Sequence, residues 1–228
     1  MGIHSAHFCA RSPLKRGSFF MAEPDKQRGS TEKRGRILEG ALRAFAKKGF
    51  YNTKVSEIAS EAGVADGTIY LYFKNKDDLL ISLFEDRMEW IIDRLQTELK
   101  AVDGGVLERL KAFIHLHFRL AIEDRDLAEF ITVELRQSAK FVKEYKNPKF
   151  ADYLKILHGL IDQGQSEGIF RSDLDSRLVG RALFGALDEV LLQLTLARTA
   201  PNDVKNEAEQ ISSMIIDGLI VRPHSTMD

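Results

Sequence analysis

Residues 55–74 read VSEIASEAGVADGTIYLYFK, and their spacing predicts a helix-turn-helix. In that motif two short helices cross at close range, so the fifth position must be small; here it is Ala59. The ninth closes the turn in a left-handed conformation that glycine adopts most cheaply, and here it is Gly63. The fifteenth is an apolar core residue of the second helix. Ile69 fills it, and Ile58, Ala62, Val64 and Phe73 complete the apolar face. A plain helical hairpin would share the apolar period without needing alanine and glycine at those two offsets.

The second motif helix then presents a polar and aromatic face. Asp66 is its expected N-cap. Gly67 removes side-chain bulk where the backbone would approach a major groove, and Thr68, Leu71 and Tyr72 are expected to point outward. Tyr70 and Tyr72 flank the groove, where a phenol can donate to a phosphate. Lys76, at the start of the following helix, is expected to contact a phosphate with help from that helix's positive end. Thr53, Lys54 and Val55 are expected to do likewise at the first motif helix. An acid is repelled by phosphates, so Asp66 either caps only or accepts from a cytosine amino group.

Working outward, the helical period continues in both directions. A first helix is expected from Thr31 to Lys48, stopped by Gly49. Asn75 caps a long helix reaching Val102, with Asp77 and Asp78 in its first turn. Asp103-Gly104-Gly105 breaks the chain, and helices are then expected over 106–123, 127–138, 150–167, 174–197 and 203–220. No alternating β-branched run bounded by turn residues is present, so the expected fold class is all-α, with about nine helices.

The composition is that of an ordinary globular chain: 228 residues, 44 % hydrophobic, 29 % charged, net charge -1. The near-zero net charge hides an asymmetry, because residues 1–54 carry +8 and the remainder -9. A cationic end on an acidic body suits a protein that offers one end to a polyanion. Cys9 is the sole cysteine, which excludes an intrachain disulfide and cysteine-rich zinc sites and fits a reducing, cytoplasmic setting. No apolar run approaches the ~20 residues needed to cross a bilayer, so no membrane partner is expected. Residues 1–30 are expected to be a flexible basic tail, or else a basic arm touching DNA, and residues 222–228 a frayed end.

The stretch from Arg36 to Phe84, RILEGALRAFAKKGFYNTKVSEIASEAGVADGTIYLYFKNKDDLLISLF, resembles the N-terminal domain of TetR-family transcriptional regulators. That resemblance implies a helix-turn-helix DNA-binding domain over 31–76 and a ligand-binding and dimerisation domain over 77–221. It further implies a homodimer on a palindromic double-stranded DNA operator, with the last two long helices forming a four-helix bundle. Two later patches, VELRQS at 133–138 and FGALDEVL at 184–191, resemble the subgroup of fatty-acid-degradation regulators. They imply a repressor of β-oxidation genes that long-chain acyl-CoA releases from DNA. The alternatives are a regulator of efflux or catabolism with another apolar ligand, or a DNA-binding protein with no small-molecule effector.

A long acyl chain needs an apolar tunnel between helices. Phe113, Leu116, Phe118, Phe130, Leu157, Ile161, Leu183 and Phe184 are candidates for its wall, with ordinary core the alternative for each. Arg109, Arg119, Arg136 and Arg181 are candidate cations for the anionic head, although Arg136 suits a structural ion pair equally well. His117 and Asp188 complete the ligand-binding candidates, Asp188 as a pocket cap or, with Glu189, as a dimer register. The helix over 174–197 is apolar on more than one face and must bury against two neighbours, which favours a dimer. His115 and His117 lie on different helix faces and make no ready metal pair. Without a phosphate loop or nucleophile elbow either, no enzyme activity, cofactor or metal is expected.

Overall fold

The computed structural model describes residues 25–197 and 200–221. Of the tail expected over 1–30, residues 1–24 lie outside the described residues, as does the frayed end at 222–228. Helix α1 (Asp25–Lys48) starts six residues before the expected Thr31, so the last part of the expected flexible tail is helical. It ends where Gly49 takes φ +79°, its N–H bonded to the Phe45 carbonyl at 2.8 Å.

Helix α2 (Val55–Ala62) begins with the Glu57 carboxylate accepting from the Lys54 N–H at 2.9 Å. Gly63, at φ 65°, closes it. Helix α3 (Asp66–Tyr72) follows. The close crossing in this head is that of α1 over α2. A Cβ added to Gly40 would stand 2.9 Å from the Ala62 nitrogen and 3.0 Å from the Ile58 carbonyl. Helix α4 (Lys76–Lys100) is capped as its sequence anticipates, Asn75 accepting from the Asp78 N–H at 2.9 Å. At 1.5 Å per residue it runs roughly 37 Å, from the head deep into the body.

The body comprises α5 (Val106–Glu123), α6 (Arg125–Thr132), α7 (Ala139–Lys143), α8 (Pro148–Ser166), α9 (Ser176–Leu196) and α10 (Pro201–Leu219). The described residues thus hold ten α-helices, one more than expected. The surplus arises because the helix expected over 127–138 breaks at Val133. A 3₁₀ turn over Glu134–Gln137 follows, and Ser138 then caps α7 by accepting from the Phe141 N–H. No strand occurs among the described residues; a single antiparallel bridge joins Phe170 to Ile220. None of the described helices is long and apolar enough to cross a membrane.

Head and body share one apolar core. Phe45 of α1 stacks on Phe130 of α6 with ring centroids 6.4 Å apart, so α6 is the body element against which the head docks. Helix α9 lies between α6 and α8, and α10 packs along α5. Leu178 and Leu196 of α9 and Met214 of α10 remain more than half exposed.

Candidate nucleic-acid interface and ligand cavity

In the head, the N-terminal ends of α2 and α4 converge on one concave surface lined by Thr53, Lys54, Val55, Ser56, Asp66, Tyr70, Asn75 and Lys76. Two helix N-termini facing one hollow make it electropositive at the backbone level. Lys54 is exposed there. Beside it α3 presents Gly67, Tyr70 and Leu71 to solvent, Leu71 at 81 % exposure. An apolar side chain that open on a seven-residue helix suits contact with base edges or methyl groups. Thr68 and Tyr72 are half-buried, and the Tyr72 hydroxyl lies 3.4 Å from that of Ser30 on α1.

Three expected roles change. Asp66 is not the N-cap of α3; Ala65 holds that position, and Asp66 stands in the first turn, exposed. Thr53 is buried, its hydroxyl 3.1 and 2.7 Å from the carbonyl oxygens of Ala44 and Gly49, where it closes the end of α1 rather than meeting a phosphate. Lys76 turns inward. Its ammonium donates to the carbonyls of Phe50, Tyr51 and Thr53 at 2.7, 3.2 and 3.1 Å and sits 4.6 Å from the Phe50 ring centroid. These carbonyls belong to the loop that follows α1, which ends at Lys48, and the ammonium satisfies three of them at once. Lys76 therefore ties α4 to the 49–53 loop.

In the body, a cavity of about 200 Å³ lies between α4 and α9. Phe84, Met88 and Ile91 line it from α4, His117 from α5, and Leu127, Ala128 and Ile131 from α6. Leu135 and Arg136 of the 3₁₀ turn, Phe141 and Asn147, Phe150 and Tyr153 of α8, and Phe184, Asp188 and Leu191 of α9 complete the wall. Of the ligand-binding candidates, His117, Arg136, Phe184 and Asp188 are brought together here.

Arg109, Phe113 and Phe130 are not. Phe113 and Phe130 are fully buried in solid core, and Arg109 of α5 stands outside the lining, as do Arg119 and Arg181. Arg119 is held in ion pairs with Glu98 and Glu123. Helical period identifies which residues are interior but not where the interior is hollow, so Phe84, Met88 and Ile91 of α4 were not anticipated, and on α8 Leu157 and Ile161 were expected where Phe150 and Tyr153 line the wall.

The polar members of the cavity are neutralised among themselves. Arg136 is ion-paired with Asp188, and burial holds the Asp188 carboxyl above its ordinary range against the pull of Arg136. The His117 Nδ1 is 2.7 Å from the Tyr153 hydroxyl. Burial of the imidazole pushes its pKa down to about 4, so the ring is neutral at pH 7. What remains is a largely apolar chamber with the Arg136–Asp188 ion pair at its edge, suited to an apolar chain whose anionic head can compete with Asp188 for the guanidinium.

Besides α4 and α6, one short segment joins the cavity to the head. Leu135 and Arg136 face the cavity, while their neighbours reach the head. The Glu134 carboxylate accepts from the Phe50 N–H at 2.5 Å, and the Gln137 carbonyl accepts from the Tyr51 hydroxyl at 2.6 Å. Ser138 bonds Asp77 at the start of α4 at 3.1 Å. Glu134 is 4 % exposed, and Gly49, at φ +79°, leaves it room: a Cβ there would lie 3.3 Å from its Oε2.

Comparison with known proteins agrees with both halves. Residues 37–83 match the model of the bacterial regulatory proteins of the tetR family, and residues 84–218 that of the YsiA-like protein C-terminal region. The fatty acid metabolism regulator protein of Bacillus subtilis is 37 % identical over 189 residues, covering 83 % of this chain and 94 % of the relative. The crystal structure of the transcriptional regulator FadR from B. subtilis, in complex with stearoyl-CoA, superposes with a TM-score of 0.75 at 35 % identity. It covers 81 % of this chain and 98 % of that one. The fatty acid degradation regulator FadR of Bacillus halodurans gives 0.76 at 35 % identity, covering 83 % and 97 %. An N-terminal helix-turn-helix carried on an all-helical body, matched over both parts, identifies the chain as a member of the TetR family of bacterial transcriptional regulators with a YsiA-like C-terminal region.

Proposed function

We propose that this chain is a cytoplasmic repressor that binds a palindromic operator as a homodimer and is released by long-chain acyl-CoA, controlling fatty-acid degradation genes. The observation that carries the reading is the 3₁₀ turn, which walls the cavity through Leu135 and Arg136 and grips the head through Glu134 and Gln137. Support for the ligand comes from the FadR relative, whose structure holds stearoyl-CoA.

The cavity is smaller than the roughly 300–1,000 Å³ of pockets that enclose drug-sized ligands. A long chain must therefore part the helices to enter. Displacing Leu135 and Arg136 draws Glu134 and Gln137 with them, and with these the 49–53 loop. The heads of a dimer then leave the spacing of about one DNA turn, ~34 Å, that a palindrome requires. Hundredfold release needs a difference of only about 2.7 kcal/mol between the two conformations. The exposed Leu178, Leu196 and Met214 support a second copy covering α9 and α10.

The test uses fluorescence anisotropy on an operator selected from a random duplex pool, with stearoyl-CoA titrated in and thermal denaturation followed in parallel. Saturable stabilisation together with loss of operator binding is expected, from a protein that elutes as a dimer. Operator binding that persists unchanged with every acyl-CoA from eight to eighteen carbons would overturn the ligand assignment.

A further inference from the structure

Five polar side chains stand in the wall of the body's chamber: His117, Arg136, Asn147, Tyr153 and Asp188. Arg136 and Asp188 hold each other, and the Asn147 side-chain oxygen accepts from the Phe150 N–H at 3.0 Å. His117 is tied at one nitrogen only. Its Nδ1 lies 2.7 Å from the Tyr153 hydroxyl, whereas its Nε2 is buried and has no partner among the described residues. Buried nitrogens without a partner also occur on Arg87, Arg109 and His158, but none of those residues lines the chamber.

The pairing fixes where the imidazole proton sits. The buried ring is neutral at pH 7, so one nitrogen carries a proton and the other accepts. Tyr153 is buried too, and among the described residues its hydroxyl meets no acceptor but Nδ1. The nearby Asp188 carboxylate, whose charge the phenol feels, is engaged by Arg136. The phenol therefore donates to Nδ1, and the ring proton is on Nε2. Around the ring the wall is aromatic, Phe184 meeting it edge-on with centroids 6.3 Å apart. An N–H shut away from water without an acceptor carries its full desolvation cost. A ligand that brings an oxygen to that N–H recovers the cost as affinity.

We infer that the His117 Nε2–H is the docking point for a carbonyl oxygen borne on the effector's apolar chain. The inference rests on the acyl-CoA reading above and adds the functional group that the chamber recognises. A neutral N–H suits a neutral oxygen, since a carboxylate loses far more in hydration than one such bond returns. Two carbonyls fit that chemistry: the thioester's own, and the 3-oxo group of a chain already partly oxidised.

The experiment measures affinities by isothermal titration for stearoyl-CoA, 3-oxostearoyl-CoA and S-octadecyl-CoA, a thioether of the same chain length that has no acyl oxygen. The protein is the full chain, its His117→Phe variant and its His117→Gln variant, whose amide returns an N–H near the place of Nε2. Stearoyl-CoA against the thioether isolates the thioester carbonyl, and 3-oxostearoyl-CoA against stearoyl-CoA isolates the 3-oxo group. In the unaltered protein one of the two ratios is expected to be about tenfold or more, and which one it is names the source of the oxygen. That ratio is expected to fall at least fivefold in His117→Phe and to be partly kept in His117→Gln. A cooperative thermal transition confirms that each variant folds. The assignment is overturned if both ratios stay within twofold of unity in the unaltered protein, a result that needs no variant. It is overturned equally if a folded His117→Phe keeps the ratio, or if His117→Gln loses as much as His117→Phe, which would trace the effect to the shape of the ring. Failure of all three ligands to bind the unaltered protein would instead overturn the functional reading beneath it, and this inference with it.

Discussion

Replacing Glu134 by alanine removes the acceptor of the buried Phe50 N–H, a bond of 2.5 Å between the body and the head. A buried donor left without a partner costs about 1–3 kcal/mol. Gln137 also loses its contact with Glu134, 3.1 Å in length, but it is exposed and water replaces it. Against these losses stands a gain, because the carboxylate itself is expensive to bury. Burial raises its pKa, a cost that the Phe50 hydrogen bond offsets only in part. A net loss of about 2 kcal/mol follows, which for a chain of this size lowers Tm by roughly 4–8 °C. Glu134→Gln keeps an acceptor and drops the charge, so it separates the two effects. Because the folded pKa lies above the unfolded value, the folded protein holds the proton more readily. The carboxyl's stabilisation is therefore present in acid and lost as pH rises through its raised pKa. Glu134→Gln should accordingly gain on the parent protein between acid and neutral pH. The assay is thermal and urea unfolding at fixed protomer concentration, at pH 4 and pH 7, with operator affinity measured alongside. If Glu134→Ala unfolds within 1 °C of the parent, or Glu134→Gln shows the same pH profile as the parent, the latch contributes nothing.

Lys76→Met should lower operator affinity by about tenfold through loosening of the 49–53 loop, leaving the salt dependence of binding unchanged. A drop of about one in the log–log salt slope would return Lys76 to the phosphate backbone. Lys54→Ala, at an exposed position in the hollow, should reduce that slope by about one; an unaltered slope would move the docking surface elsewhere. The folded chain binds fewer protons at His117 than the unfolded chain between pH about 4 and the ordinary 6.5. Stability should thus fall by about 1.4 kcal/mol per unit of acidification across that window. His117→Phe should flatten the urea midpoint there, and an equally steep decline in the variant would assign the acid sensitivity to other groups. Gly164→Ala would place a Cβ 1.9 Å from the Phe170 ring, so α8 must shift; a loss of about 2 kcal/mol or more is expected in urea unfolding.

The head was legible in the sequence because its constraints are local. Gly63 needs its turn, Ile69 its core face and Asn75 its cap, and each is decided within four or five residues. The roles of Thr53 and Lys76 were not, because both depend on where α1 ends in space relative to α4. A lysine beside a helix N-terminus reads as a phosphate ligand until three carbonyls are found converging on it. In the body, periodicity identified Phe113 and Phe130 as interior, which they are. Which interior faces stand apart and leave a hollow depends on the offsets between four helices, and no single segment encodes those. The short patch at 133–138 was singled out by resemblance alone. Its physical reason, a helix broken so that Leu135 and Arg136 face the cavity while Glu134 and Gln137 on either side hold the head, became visible only in three dimensions.

That broken helix limits how the protein can be re-engineered as a sensor. Residues 134–137 serve the effector pocket and the operator-binding head at once, so substitutions there trade ligand selectivity against basal repression and cannot be tuned separately. The wall built by His117, Phe150, Tyr153 and Phe184 comes from α5, α8 and α9, none of which supplies the grip on the 49–53 loop. Libraries aimed at new effectors belong on that wall, where the pocket can be reshaped while the uninduced state keeps its hold on DNA.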